Sequence, residues 1–184
     1  MELMSGEEML MGMMELQRKW QESPYYPKEH DLPKGHWRRV VTPEGEALSV
    51  IITDHYVIGV KTARVVFIDR QTKEDLAPVK GMTNLRAGDV KADESEMAVV
   101  GMGRCFWVIS LKTFEITKKV FYPKGFTSSD VYGTYSEDGT RFSVCVQKYD
   151  YDNGCYIFLR CEYETENYTL VSSEEVPFED CDIL

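Results

Sequence analysis

Basic residues are scarce in the last third of this chain. Residues 126–184 hold Arg141, Lys148 and Arg160 against 13 acids, while residues 1–125 balance 18 acids with 18 bases, so the final third carries the whole net charge of −10. Such a field repels phosphate backbones and anionic lipid, which argues against direct contact with nucleic acid or a membrane through this region. A basic protein surface would be attracted, and a solvated acidic face is the simpler alternative. No apolar run approaches the roughly 18 residues needed to cross a bilayer. Cysteines number 5, and Cys105, Cys145, Cys155, Cys161 and Cys181 show no Cys-x-x-Cys spacing. An odd set without metal spacing fits reduced thiols in a cytoplasmic protein. Cys145 and Cys155 could face each other across a hairpin, but small apolar strand residues are the plainer reading. The first 14 residues have acids where a secretory signal needs bases, so no export is expected.

Motifs for catalysis are equally sparse. No Gly-x-Ser-x-Gly elbow exists, and Asp54-His55 has no identifiable nucleophile beside it. His30 and His36 flank a proline turn without further ligands, and Gly101-Met-Gly103-Arg104 lacks the third glycine and the helix of a phosphate loop. Asp150-Tyr-Asp152-Asn-Gly154 is one residue short of a calcium loop and reads as a hairpin turn. No metal or cofactor is expected, and the expectation is a protein that is not an enzyme.

What is present is an ordinary globular composition over 184 residues, 43% hydrophobic and 28% charged. Ser5 and Glu8 form a capping box. Met9, Met13, Leu16 and Trp20 then follow at helical spacing, which predicts an amphipathic helix over residues 1–22. Its methionine-rich stripe suits either the protein's own body or a partner's groove. Residues 23–36 hold Pro24, Pro27 and Pro33, which predicts an extended linker.

From Trp37 to residue 184 the hydrophobic period becomes two, and three similar units follow. Their second strands begin at Tyr56, Met97 and Phe142, separated by 41 and 45 residues. That spacing suits four-stranded antiparallel meanders in tandem. The first unit reads as strands 49–54, 56–61, 64–69 and 76–79, the second as 88–93, 97–102, 105–110 and 115–121. The third reads as 132–139, 142–147, 155–160 and 168–176. Glu137-Asp138-Gly139-Thr140 reads as a tight turn with glycine at positive φ, and Asn153-Gly154 closes a long hairpin of residues 142–151 with 155–163.

Ser136-Glu-Asp-Gly-Thr-Arg-Phe142 resembles the Ser-Pro-Asp-Gly-Lys-Arg-Leu signature of WD-repeat-like β-propeller blades. Residues 56–74, Tyr-Val-Ile-Gly-Val-Lys-Thr-Ala-Arg-Val-Val-Phe-Ile-Asp-Arg-Gln-Thr-Lys-Glu, are similar to the blade core of quinoprotein-type propellers. Ile68-Asp69, Ile109-Ser110 and Leu159-Arg160 stand where a Trp-Asp would end the third strand, and Gly35-His36 falls in the linker. The resemblance implies a mainly β, propeller-like fold of three to four blades behind an N-terminal helix, with a β-sandwich as the rival. Closed rings have four to eight blades. Residues 37–42 pairing with the tail 176–184 would supply a fourth, and otherwise a second copy or another protein covers the open sheet edges.

The functional expectation is a noncatalytic protein–protein interaction module. Its contact residues would be Met9, Met13, Leu16 and Trp20 on the helix, Tyr149, Asp150, Tyr151 and Asp152 at the hairpin tip, and Glu162, Glu164 and Glu166 on the acidic strand. The partner would be a protein with a basic surface. The alternatives are an acidic nucleic-acid mimic blocking a cationic channel, and a small hydrolase or lyase on the same scaffold.

Overall fold

The computed structural model describes residues 37–41 and 47–181. The expected helix over residues 1–22, with Met9, Met13, Leu16 and Trp20, and the linker over residues 23–36 lie outside the described residues.

The described chain forms three antiparallel sheets, each a meander in sequence order. Sheet 1 contains β1 (Trp37–Val41), β2 (Ala47–Ile52), β3 (Tyr56–Lys61), β4 (Arg64–Asp69) and β5 (Val79–Lys80). Sheet 2 contains β6 (Leu85–Val90), β7 (Glu96–Gly101), β8 (Cys105–Ser110) and β9 (Glu115–Phe121). Sheet 3 contains β10 (Thr127–Tyr135), β11 (Arg141–Asp150), β12 (Cys155–Glu164) and β13 (Leu170–Val176), followed by a 3-10 helix (Phe178–Cys181). The three expected units are therefore three separate sheets, not the two layers of a sandwich.

Sheet 2 lies between the other two. Along β7, Met97 and Val99 enter the core shared with sheet 1, while Ala98 and Val100 enter the core shared with sheet 3. In β8, Cys105, Trp107 and Ile109 point one way, and Phe106 and Val108 the other. A strand covered on both faces needs apolar residues at successive positions, which is why these two read as continuous hydrophobic runs. In the end sheets the residues turned towards sheet 2 alternate with those turned away. Ile58, Val60, Val65 and Phe67 of sheet 1 pack against sheet 2, as do Phe142, Val144, Val146 and Tyr163 of sheet 3.

Phe106 is the centre of the core between sheets 2 and 3. Its ring centroid lies 4.9 Å from Phe142, 5.2 Å from Tyr163, 5.8 Å from Tyr168 and 5.9 Å from Tyr122. Tilted and edge-on ring pairs at these separations add to simple area burial. Gly133 of β10 leaves room for this cluster, since a Cβ there would stand 2.2 Å from the Phe142 ring.

The turns form as their sequences require. Gly139 has φ +69° and Gly154 φ +67°, both in the left-handed region that glycine enters at low cost. The long hairpin pairs Arg141 with Glu164 through to Asp150 with Cys155. Cys145 consequently lies opposite Arg160, not Cys155.

One pairing differs from expectation. Residues 37–41 do not join the tail: β1 runs antiparallel to β2, with Trp37 opposite Ile51 and Val41 opposite Ala47. Only residues 42–46 separate the two strands, and the loop-closure cost grows with chain length, so the local hairpin is favoured over a pairing across most of the chain. The tail instead folds over sheet 3, where Cys181 packs with Cys145, Phe158 and Val176. Among the described residues no helix is long and apolar enough to cross a membrane.

Gly133→Ala is expected to lower stability by about 1–3 kcal/mol through overpacking against Phe142. Gly103→Ala, where a Cβ meets nothing within 4 Å, should stay within about 0.5 kcal/mol. Urea unfolding of the two variants tests this, and equal midpoints would contradict the packing described.

Candidate functional site

Two places concentrate polar or exposed aromatic side chains. The first is where the turns β2–β3, β6–β7 and β10–β11 converge at one end of the stack. They enclose a pocket of about 390 Å³ whose lining includes Thr53, Asp89, Lys91, Glu94, Tyr135 and Glu137.

The walls of this pocket tie the sheets together. Asp93 and Asp138 hold equivalent turns: Asp93 accepts from the Ser95 amide and hydroxyl, and Asp138 from the Thr140 amide and the Ser136 hydroxyl. Hydrogen bonds from Ser136 and Thr140 hold the Asp138 carboxyl down at about 2. In sheet 3 the next position is Gly139, and in sheet 2 it is Glu94, with φ +53°. A side chain in that conformation is strained, and the bonds made by Glu94 offset it. The carboxylate accepts from Thr53 Oγ1 at 2.9 Å and the Asp54 amide at 2.7 Å, and it meets His55 Nδ1 at 2.8 Å. Burial pushes the Glu94 carboxyl up, but the bonds from His55, Asp54 and Thr53 outweigh it and leave it below the usual 4.5.

Sheets 2 and 3 are joined in the same way. Asp89 Oδ2 accepts from the Tyr135 amide at 2.7 Å and from Thr134 Oγ1 at 3.0 Å. Glu96 Oε1 accepts from the Tyr168 hydroxyl at 2.7 Å and from Lys91 Nζ at 3.1 Å. The Tyr135 and Tyr168 hydroxyls are 2.6 Å apart, which completes a chain from β10 to β7. Burial drives both phenols well above the ordinary tyrosine value, so they remain protonated donors. This arrangement is a brace across three sheets. Sequence reading named Asp54-His55 and the Asp138 turn but not Asp89, Glu94, Glu96, Tyr135 or Tyr168, because each of these is an ordinary strand or turn residue until the sheets stack.

The second place is the face of sheet 3 turned away from sheet 2. Here Tyr149 pairs with Tyr156, Gln147 with Phe158, Ser143 with Glu162, and Arg141 with Glu164. The aromatic rings form a continuous ridge. Tyr151 and Tyr149 are 5.0 Å apart, Tyr149 and Tyr156 5.1 Å, Tyr156 and Phe158 6.2 Å, and Phe158 and Phe178 5.3 Å. Tyr151 is 88% exposed, Phe178 62% and Tyr156 55%. The 3-10 helix crosses this face, with Arg160 Nη2 donating to the Asp180 carbonyl. Cys181 at its end and Cys145 beneath it are fully buried. Burial, then the adjoining Cys181 thiol, push the Cys145 thiol up to about 12.

The expected contact residues fall into distinct roles. Tyr149 and Tyr151 are both in the ridge. Asp150 caps the hairpin turn, accepting from the Asp152 amide and Asn153 Nδ2, and Asp152 is exposed beside it. Glu162 and Glu164 lie on the outward side of β12, but Glu164 folds back to accept from the amides of Glu166, Asn167 and Thr169. Glu166 falls in the turn beyond the strand. Sequence reading missed Tyr156, Phe158 and Phe178. The period of two and the turn at Asn153-Gly154 would place Tyr156 opposite Tyr149, so that signal was available.

No protein-family model matches this sequence, and no curated protein does. Solved structures do. The chain is similar to the Cps50 (Swd1) β-propeller domain of Myceliophteria thermophila, with TM-score 0.56 and 13% identity over 77% of this chain and 56% of that one. It is similar to the tricorn protease, with TM-score 0.56 and 13% identity over 74% of this chain and 15% of that one. A third likeness, to oligogalacturonate lyase from Vibrio parahaemolyticus, has TM-score 0.51 and 9% identity over 77% of this chain and 48% of that one. The chain therefore has a β-propeller-like fold of stacked four- and five-stranded antiparallel sheets, and it spans between 15% and 56% of the length of these structures.

The Glu94 brace has a pH signature. A carboxyl depressed in the folded state contributes stability above its ordinary value near 4.5, and that contribution is lost as pH falls through the folded value. Glu94→Gln should thus be less stable than the parent near neutral pH, with the gap narrowing as the pH falls below 4.5. Urea midpoints measured across that range provide the check, and a gap that widens in acid would reject the brace.

Proposed function

We propose that this chain is a noncatalytic docking scaffold that binds a partner protein through the outward face of sheet 3. The observation that carries this reading is the ridge of Tyr151, Tyr149, Tyr156, Phe158 and Phe178, in which most rings are exposed beside carboxylates. Large exposed aromatics with a polar surround are the usual energetic centres of protein interfaces. The hairpin that bears them is longer than its counterparts: β11 and β12 have 10 residues each, β7 and β8 6 each. The extra length lifts the tyrosines beyond the stack.

The partner suited to this face offers an apolar patch bordered by lysine or arginine, complementing Asp152, Glu162 and Glu174. A phosphate-mimicking row has less support, because Asp150 and Glu164 direct their carboxylates into their own turns. The pocket at the convergent turns supports bracing better than catalysis, since its phenols stay protonated and its carboxylates accept several bonds each.

Affinity capture with the full chain tests the proposal. Tyr149→Ala and Phe178→Ser should each weaken retention of the captured protein about tenfold or more, in line with ~1.4 kcal/mol or more per hot-spot residue. Lys112→Ala, on an exposed turn of sheet 2, should leave retention unchanged. Equal retention by all three variants would reject the surface.

A further inference from the structure

Sheet 1 has an outward face too, and its residues belong to none of the three apolar clusters of the described chain. With Ile58, Val60, Val65 and Phe67 turned towards sheet 2, alternation directs Val50, Ile52, Val57, Val66 and Ile68 the other way. Gly59 lies between Val50 and Val66 in the register, so the centre of this face is a dip between two valines. At one end, Lys61 pairs with Arg64 and Arg64 with Lys80, setting three cations in a row across three strands.

A sheet face of this composition has to be covered. The opposite end of the stack shows one solution: there the chain's own C-terminal 3-10 helix lies across sheet 3, burying Cys145 under Cys181. We infer that residues 1–22 do the same for sheet 1, seating the stripe of Met9, Met13, Leu16 and Trp20 on Val50, Val57 and Val66. This goes beyond the docking role of sheet 3 and does not depend on it.

Charge, size and tether all agree. Residues 1–22 carry Glu2, Glu7, Glu8, Glu15 and Glu22 against Arg18 and Lys19, a surplus of acid to meet Arg64 and Lys80. Flexible methionines suit an irregular surface with a dip at Gly59. Helical residues 5–22 would be roughly 27 Å long at 1.5 Å per residue. A five-stranded sheet whose longest strands have six residues measures about 20 Å on a side, so one such helix crosses the face along its diagonal. Residues 23–36 can extend up to roughly 46–50 Å and lead directly into β1 of the same sheet.

The test uses the full-length chain with the exposed Cys155 replaced by serine. Met9, Met13 and Leu16 are changed to cysteine one at a time, each combined with Val57→Cys, with Val66→Cys, or with Glu174→Cys on the far end of the stack. Under oxidised glutathione the two new thiols of a pair join as a disulfide while glutathione is reduced. The expected result is an intramolecular link to position 57 or 66 in a monomer, read by non-reducing electrophoresis and peptide mass spectrometry. Links to position 174 alone, a covalent dimer showing that a second copy seats there, or no link at any pair would each overturn the inference. A second measurement needs no crosslink: in full-length Met9→Glu/Met13→Glu, hydrogen exchange should accelerate at least severalfold in residues 56–61 and 64–69 but not in residues 155–164. Unchanged exchange in sheet 1 would also overturn it.

Discussion

Sheet 2 is buried on both faces at once, and each end sheet has its main core only because sheet 2 supplies the other half. Met97, Val99, Trp107 and Ile109 fill one side and Ala98, Val100, Phe106 and Val108 the other. Fully burying one large apolar side chain stabilises by about 1.5–3 kcal/mol, so β7 and β8 together anchor most of the stack. A charge introduced into either strand would have no solvated side to turn to. A charge on the outward positions of β12 would.

The acidic composition is also partly internal. Asp89, Glu94 and Glu96 accept hydrogen bonds across sheet boundaries, and Asp93, Asp138, Asp150 and Glu164 cap turns. Carboxylates are suited to this work, because a single group accepts several amide and hydroxyl donors where backbone pairing stops. Glu94 and Gly139 show two answers to one turn. Glycine enters the left-handed region freely, whereas glutamate stays there because its carboxylate binds the neighbouring sheet.

A stack of blades that ends must treat its last faces differently from its inner ones. Sheet 3 ends in a 3-10 helix laid over Cys145 and an aromatic ridge left in solvent, which is why its outward side supports a docking role. Sheet 1 ends in valines, isoleucines and a row of cations. The two ends are thus chemically unlike, although the blades beneath them repeat.

Neighbouring residues suffice to mark strands and turns, and much of the fold was therefore legible. Tyr56–Lys61, Arg64–Asp69, Cys105–Ser110 and Glu115–Phe121 are the strands that period and composition indicate, and Gly139 and Gly154 have the positive φ their turns require. Partner choice was less legible. The strand expected over residues 76–79 is reduced to β5 (Val79–Lys80), β1 pairs with β2, and the tail crosses sheet 3. At the candidate sites Tyr149 and Tyr151 could be named, but their continuation through Tyr156 and Phe158 to Phe178 needed the hairpin register and the returning tail. The brace of Glu94, Glu96, Tyr135 and Tyr168 joins residues up to 72 positions apart. By itself, then, the sequence determined the repeat, the strands and the turns, because backbone sterics and the two-residue period act between neighbours. Only the tertiary structure decided which faces are covered and which carboxylates are spent on bonds, because those depend on groups that meet after the sheets have stacked.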